Sequence, residues 1–178
     1  IMMGYYNRPE LTNEVIDKNG WFATGDIGEM VEGVYLKITD RKKEIFKTSG
    51  GKYIAPQVME NKFKESRIIE QIMVVGENEK HPSALISTNL DTVKEWCKRH
   101  NHTCPVEAEI GSNKVICDRV MQEVETLMAP FSPWERVKVI RILPEPFSIE
   151  GGELTPTLKL KRKPIQAKYT KLIKAIYE

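Results

Sequence analysis

Four short segments of this 178-residue chain carry side chains that could bind a ligand or assist a reaction. Thr24-Gly25-Asp26 combines a tight turn with a carboxylate, which in its ionised form accepts hydrogen bonds and donates none. The pair Gly50-Gly51 lets another molecule approach the backbone closely. Lys159 carries a compact ammonium charge on a long side chain, and residues 97–104 offer two thiols and two imidazoles. Each pattern is weak by itself, because the same residue types occur in ordinary turns, tails and helix ends.

Two of these segments invite interpretations that their spacing does not support. Residues 97–104 contain Cys97 and Cys104, and thiolate and imidazole are common zinc ligands. However, Cys97 is expected on a helix face and Asn101 at the end of that helix, so we predict no metal site. Gly50-Gly51-Lys52 lacks the long glycine-rich motif, and the helix starting with Ser or Thr, of a nucleotide-binding P-loop. We predict a hairpin loop there.

The charge of the chain is nearly balanced in total but not in distribution. Its 27 basic and 25 acidic residues give a net charge of +2, which predicts no nucleic-acid partner. Residues 155–178 hold seven Lys or Arg and one Glu, so this end should prefer anions.

Three irregularly spaced cysteines and no apolar run of about 20 residues favour a cytoplasmic protein with at most peripheral membrane association. Ile1 is not an initiator, so we expect the chain to continue upstream.

The pattern of apolar and turn residues predicts three parts. Residues 1–39 are β-rich, with a hairpin around Glu32-Gly33, but about forty residues cannot usually fold alone. Residues 40–45 form a charged bridge without apolar anchors, as an interdomain hinge requires. Residues 46–178 predict a small α+β domain in which a β-hairpin and a sheet of about three strands are covered by helices.

Several local assignments follow from spacing along this last part. Glu60 and Lys64 are expected to pair at i,i+4 in an amphipathic helix. Asp91 is expected to cap a helix that carries Val93 and Cys97, and Pro164 to start the last helix. Arg162 belongs to no motif of its own and is expected to be a solvated surface charge.

Several separated motifs, taken together, resemble the adenylate-forming superfamily of acyl-CoA synthetases, luciferases and peptide-synthetase adenylation domains. They read MGYYNRPELT (residues 3–12), GWFATGDIG (20–28), DRKKEIFK (40–47) and ELTPTLKLKR (153–162). The last is similar to the form found in bacterial long-chain fatty acyl-CoA synthetases. The resemblance covers nearly the whole chain, and residues 1–39 would then end the large N-terminal, AMP-binding domain.

This resemblance implies roles for three residues in forming an acyl-adenylate. Asp26 would accept hydrogen bonds from the ribose hydroxyls of ATP, and Arg41 would hold the ribose and phosphate side. Lys159 would bridge the carboxylate substrate and the α-phosphate while negative charge develops. Mg²⁺ would be bound mainly by the missing N-terminal domain.

The second half-reaction implies a rotation of the small domain about a hinge at Asp40 and Lys43. The rotation would withdraw Lys159 and bring residues 47–53 against the adenylate. Gly50 and Gly51 would then let the pantetheine arm of coenzyme A pass close to the backbone.

The resulting prediction is the C-terminal part of a long-chain fatty acid–CoA ligase that uses fatty acid, ATP and coenzyme A. The chain alone is expected to be inactive, and a homo-oligomer is possible. One alternative is an adenylate-forming enzyme that transfers the acyl group to a carrier protein. Another is a non-enzymatic module whose basic end binds anions, which leaves the motifs around Asp26 and Lys159 unexplained.

Overall fold

The computed structural model describes residues 2–178, and the chain divides into two compact units. The first unit extends to Glu44, and the second is Ile45–Glu178. The expectation that the chain continues upstream rests on Ile1, which lies outside the described residues. Each unit has its own helices and strands.

The first unit is built around one β-hairpin. It contains helix α1 (Pro9–Val15) and the antiparallel strands β1 (Asp26–Val31) and β2 (Tyr35–Arg41). Glu32 and Gly33 form the turn with φ angles of 54° and 70°. Two consecutive positive φ angles are typical of a type I′ turn, whose twist matches that of the paired strands. The predicted hairpin is therefore confirmed, and β2 continues into the segment predicted as a bridge.

Large apolar side chains of the first unit are exposed. Tyr6 keeps 92% of its accessible surface, Trp21 76% and Leu36 67%. An apolar surface of this kind is what packing against a further domain would require. That residues 1–39 end a larger domain stays a prediction.

The second unit, all of whose residues are described, is an α+β fold with a three-stranded sheet. Its elements in chain order are β3 (Phe46–Lys47), β4 (Tyr53–Ile54), α2 (Pro56–Phe63), β5 (Ile69–Val75), β6 (Ser83–Thr88), α3 (Leu90–Arg99), a 3-10 helix (Glu107–Ser112), α4 (Lys114–Met128), β7 (Val139–Ile142), α5 (Arg162–Lys168) and α6 (Thr170–Tyr177). Strands β3 and β4 pair as a hairpin. The sheet has the order β5-β6-β7, with β5 antiparallel to β6 and β6 parallel to β7. The predicted hairpin, sheet and helical cover are confirmed, whereas the 3-10 helix has no counterpart in the prediction.

Both faces of this sheet are buried. Successive side chains of a strand point to opposite faces. On one face Ile72, Val74 and Ile86 pack in a cluster with residues of α2, α3 and α4. On the other face Met73 and Leu85 pack with α5 and with the segment that follows β7. The segment that carries the candidate lysine is therefore built onto the second face.

The cap of α3 differs from the prediction. Asn89 is the N-cap, and its Oδ1 accepts a hydrogen bond from the backbone N–H of Thr92 at 2.9 Å. Asp91 instead lies inside the first turn, where a carboxylate interacts favourably with the helix dipole.

The end of the chain also differs, because the single helix predicted from Pro164 is two helices. Tyr169 separates α5 from α6 with φ −102° and ψ 18°, outside the helical region. Its ring packs edge-on against Phe147, with the centroids 6.2 Å apart.

Within residues 2–178, none of the helices is both long and apolar enough to cross a membrane.

Candidate functional site

Asp26 and Arg41 lie opposite each other at the open end of the β1–β2 hairpin. They are cross-strand partners, and Arg41 Nε lies 3.5 Å from Asp26 Oδ1. The backbone N–H of Asp26 donates to Thr24 Oγ1 at 3.1 Å, and Gly25 adopts a φ of +78°. The side chains of Asp26 and Arg41 are 33% and 59% exposed, so the pair contributes little to stability. Its adjacent acceptor and donor groups suit a ligand with both hydroxyls and anionic oxygens.

The predicted hinge residues lie where β2 ends. Asp40 Oδ1 accepts a hydrogen bond from the backbone N–H of Arg41 at 2.6 Å. The backbone N–H of Glu44 donates to the Arg41 carbonyl at 2.9 Å, which closes a tight turn around Lys43. Lys43 is exposed. The pivot role of Asp40 and Lys43 stays a prediction.

Gly50 and Gly51 lie in the loop that joins β3 to β4. Thr48 closes this loop: its N–H donates to the Lys52 carbonyl at 2.9 Å, and its Oγ1 accepts from the Lys52 N–H at 3.3 Å. Gly51 adopts a φ of +81°, which disfavours any residue with a side chain. A Cβ added at Gly50 would meet only Thr48 Oγ1, 4.0 Å away. The loop therefore presents bare backbone to solvent.

Two ammonium groups flank this bare backbone. Lys47 Nζ lies 5.6 Å from the ring centroid of Tyr53, and Lys52 Nζ lies 4.9 Å from that of Trp134. Tyr53 and Trp134 are 69% and 49% exposed. Cations over aromatic faces are held without losing their charge. Trp134 has no motif that singles it out in the sequence.

Lys159 lies at the tip of a closed loop between β7 and α5. The Thr155 N–H donates to the Lys159 carbonyl at 2.8 Å, and the Lys159 N–H donates to Thr155 Oγ1 at 3.0 Å. Leu158 adopts a φ of +57°, which tightens the turn. The Lys159 side chain is exposed, and its ammonium forms no hydrogen bond or ion pair with any of residues 2–178. The backbone is thus fixed while the ammonium stays available.

Glu153 anchors one side of the base of this loop. Its carbonyl accepts the N–H of Lys161 at 2.7 Å. Its buried carboxylate accepts from the Ser148 N–H at 3.3 Å and the Tyr169 hydroxyl at 3.4 Å, and forms an ion pair with Lys168 of α5. Burial opposes ionisation of this carboxyl, but the hydrogen bonds from Lys168 and Ser148 outweigh it. The pKa of Glu153 is therefore lowered.

Arg162 anchors the other side of the base. Its guanidinium donates two hydrogen bonds of 2.6 Å to the Glu60 carboxylate and one of 3.1 Å to the Val74 carbonyl. The Arg162 and Glu60 side chains are only 14% and 10% exposed. The predictions of Arg162 as a surface charge and of a Glu60–Lys64 pair are both wrong. The Lys64 ammonium instead donates to the Asn61 side chain at 2.7 Å.

One signal in the sequence could have shown that Glu60 requires a buried partner, although not which residue that partner is. The buried positions of α2 are Pro56, Met59, Glu60 and Phe63, which form one helical stripe. A carboxylate in such a stripe requires a buried partner. Glu153 opens the ELTPTLKLKR motif, but it lies in a loop without periodicity, so nothing in the sequence indicates that its side chain is buried.

The segment from Cys97 to Cys104 closes the end of α3. His100 and His102 both stack on Trp96, with centroids 4.6 Å and 5.3 Å from the indole. Burial raises the pKa of the Cys97 thiol, and its interaction with Cys104 adds to this effect. Within residues 2–178, no group of three or more His, Cys, Asp or Glu side chains is arranged to hold a metal ion.

The structure thus brings only some of the candidate residues together. Asp26 and Arg41 meet in the first unit, next to the turn that holds Lys43. The second unit carries the glycine loop, between β3 and β4, and the Lys159 loop, before α5.

Comparison with curated proteins gives relatives along the whole chain. The chain is 36% identical over 181 residues to long-chain-fatty-acid–CoA ligase 5 of Mus musculus, covering 100% of this chain and 26% of that protein. It is 35% identical over 178 residues to long-chain-fatty-acid–CoA ligase FadD15 of Mycobacterium tuberculosis, covering 99% of this chain and 30% of that protein. The chain therefore spans about a quarter to a third of the length of these relatives.

A solved structure and a protein family match the same chain. The A domain of carboxylic acid reductase from Segniliparus rugosus, in complex with AMP and a co-purified carboxylic acid, superposes with a TM-score of 0.83 at 25% identity. The match covers 99% of this chain and 26% of that one. Residues 43–178 match the AMP-binding enzyme C-terminal domain family. The chain belongs to the family of AMP-binding enzyme C-terminal domains.

Proposed function

We propose that this chain is the C-terminal part of an AMP-forming long-chain fatty acid–CoA ligase. The observation that carries the proposal is the similarity to long-chain-fatty-acid–CoA ligases, which extends over 100% of the chain at 36% identity. Transfer to a carrier protein is not favoured, because these relatives are named as CoA ligases. The substrates are a fatty acid, ATP and coenzyme A.

In the first half-reaction the fatty acid carboxylate attacks the α-phosphorus of ATP, which gives acyl-AMP and releases pyrophosphate. Asp26 accepts hydrogen bonds from the ribose hydroxyls, and Arg41, held 3.5 Å from it, donates to the ribose and phosphate oxygens. The Lys159 ammonium stabilises the negative charge that develops between the two reactants. Mg²⁺ would be bound mainly by the N-terminal domain of the parent enzyme.

In the second half-reaction the coenzyme A thiol attacks the acyl carbonyl, and AMP leaves. The bare backbone at Gly50 and Gly51 leaves room for the slim pantetheine arm. Asp40 and Lys43 form the pivot about which the second unit rotates between the two half-reactions. The chain alone is inactive under this proposal, because it spans about a quarter of such a ligase.

The test is the substitution Lys159→Ala in the parent enzyme. We expect the adenylation rate to fall by a factor of about 10² or more, which corresponds to an activation free energy higher by on the order of 3 kcal/mol. The reason is that the variant lacks the positive charge that stabilises the transition state. Thioester formation from preformed acyl-AMP should be nearly unchanged. Lys163→Ala is the matched control, since Lys163 is an exposed lysine of the same basic segment. Equal loss of both half-reactions would contradict the role of Lys159.

Three further predictions concern cellular location, membrane association and oligomeric state. A cytoplasmic location stays a prediction, since the relatives include a synthetase of Arabidopsis thaliana named as peroxisomal. Peripheral membrane association and a homo-oligomer also stay predictions.

A further inference from the structure

Glu153 is a charged residue at a buried position that an apolar side chain could also fill. Its side chain is 3% exposed, and its carboxylate contacts Tyr169, which packs against the apolar cluster on the second face of the sheet. Its partner Lys168 is 49% exposed, and ion pairs that reach solvent contribute little to stability, so the pair is weak evidence for a purely stabilising role. The carboxylate therefore needs another explanation.

The preceding loop is built around this carboxylate. A Cβ added at Gly151 would lie 2.1 Å from Glu153 Oε2 and 2.9 Å from Ser148 Oγ. The N–H of Gly151 donates to Ser148 Oγ at 2.8 Å, and Gly152 adopts a φ of +81°. The two glycines allow the backbone to pass around Glu153 without a clash.

The position of Glu153 is transmitted to Lys159 through a short, closed loop. The Lys161 N–H donates to the Glu153 carbonyl at 2.7 Å, and Leu154 and Leu160 form an antiparallel bridge. The Thr155–Lys159 hydrogen bonds then close the tip. A shift of Glu153 would therefore move the Lys159 backbone as well.

We propose that Glu153 is a positioning residue for Lys159. Its carboxylate joins the start of the loop at Ser148 to Lys168 and Tyr169 at the end of α5, and so fixes the point from which the Lys159 ammonium extends. The proposal rests on the proposed function, in which Lys159 acts only in adenylation.

The experiment uses Glu153→Gln in the parent enzyme. Glutamine has the same size and keeps one acceptor oxygen, but it loses the charge that pairs with Lys168. We expect adenylation to slow on the order of tenfold, because a displaced charge stabilises the transition state less well. The KM values for ATP and fatty acid, and the rate of thioester formation from acyl-AMP, should change less than about twofold. Glu150→Gln, an exposed glutamate of the same loop, is the matched control and should behave as wild type.

A second comparison separates positioning from general stability. In the Lys159→Ala background, Glu153→Gln should slow adenylation no further, since the two residues act through one group. An equal effect in both backgrounds, or an equal loss in both half-reactions, would overturn the role of Glu153. If Lys159→Ala itself leaves adenylation unchanged, the proposed function fails first, and that result is distinct from the other two.

Folding of the variants is checked by thermal melting before the assays. Should Glu153→Gln unfold at the assay temperature, Lys168→Gln decides instead, because that side chain is 49% exposed and its loss leaves the contacts from Ser148 and Tyr169 in place. A selective loss of adenylation in Lys168→Gln supports the proposal. A wild-type rate in a folded Lys168→Gln variant overturns it.

Discussion

Substitution of Leu154 and of Leu158 by Ala tests whether the Lys159 loop packs on the sheet as the structure shows. They are the same residue type in the same loop, but Leu154 is 2% exposed and Leu158 is 69% exposed. Leu154 packs in the second apolar cluster, which includes Met73 and Phe147. Leu158 contributes no comparable burial, so the two substitutions to Ala should differ strongly.

The size of the difference follows from the carbons removed. Leu154→Ala removes three buried carbons at about 0.8 kcal/mol each, which gives about 2.4 kcal/mol of lost transfer free energy. The cavity left behind raises the loss of unfolding free energy to about 3–4 kcal/mol. Leu158→Ala removes the same carbons from an exposed position and should change the unfolding free energy by no more than about 0.5 kcal/mol.

The assay is urea denaturation of the whole chain, followed by far-UV circular dichroism for wild type and both variants. A similar midpoint for wild type and Leu158→Ala, with a clearly lower one for Leu154→Ala, is the expected result. If both variants lose the same stability, or Leu154→Ala loses nothing, then the loop is not anchored by Leu154. The proposed positioning of Lys159 would lose its structural basis as well.

Two further predictions concern stability. Asn89→Ala should lower the unfolding free energy by about 1 kcal/mol, because the N-cap of α3 is lost. Asp91→Ala should lower it by only a few tenths of a kcal/mol, and denaturation midpoints measure both effects. Equal losses in the two variants would contradict the assignment of Asn89 as the N-cap. The lowered pKa of Glu153 means that its contribution to stability is present above the ordinary glutamate pKa of 4.5 and is lost as the pH falls through the lower folded-state value. The difference in unfolding free energy between wild type and Glu153→Gln should therefore shrink below about pH 4.5, and a difference that stays constant down to about pH 3 would contradict this.

The elements of the second unit could be predicted because local signals agree there. The residues of β5 and β6 form apolar runs of strand length, and the glycine pair marks the turn between β3 and β4. The helix ends are harder to predict, because Asn89 and Asp91 are both good capping residues and only the structure shows that Asn89 accepts the hydrogen bond from Thr92. At the break between α5 and α6, the Tyr169 ring contacts Phe147, which is distant in the sequence.

The candidate site shows the same division. Asp26, Arg41 and Lys159 could be proposed because each lies in a recognisable local motif. The two ion pairs that hold the Lys159 loop could not be predicted in this way. Glu60 and Arg162 are 102 positions apart, and Glu153 and Lys168 are 15 apart. No local pattern links residues at such separations, and only the packed sheet brings them together.

These ion pairs also change how the basic end of the chain is interpreted. The sequence shows seven basic residues in residues 155–178, which would suit a general anion-binding surface. In the structure Arg162 and Lys168 are paired with Glu60 and Glu153, so two of the seven charges are already neutralised by acids of the same unit. The Lys159 ammonium is not paired in this way within residues 2–178. A surface for nonspecific anion binding would gain nothing from burying Arg162 and pairing Lys168 with an acid, whereas a loop that must hold one lysine in place gains both of its anchors.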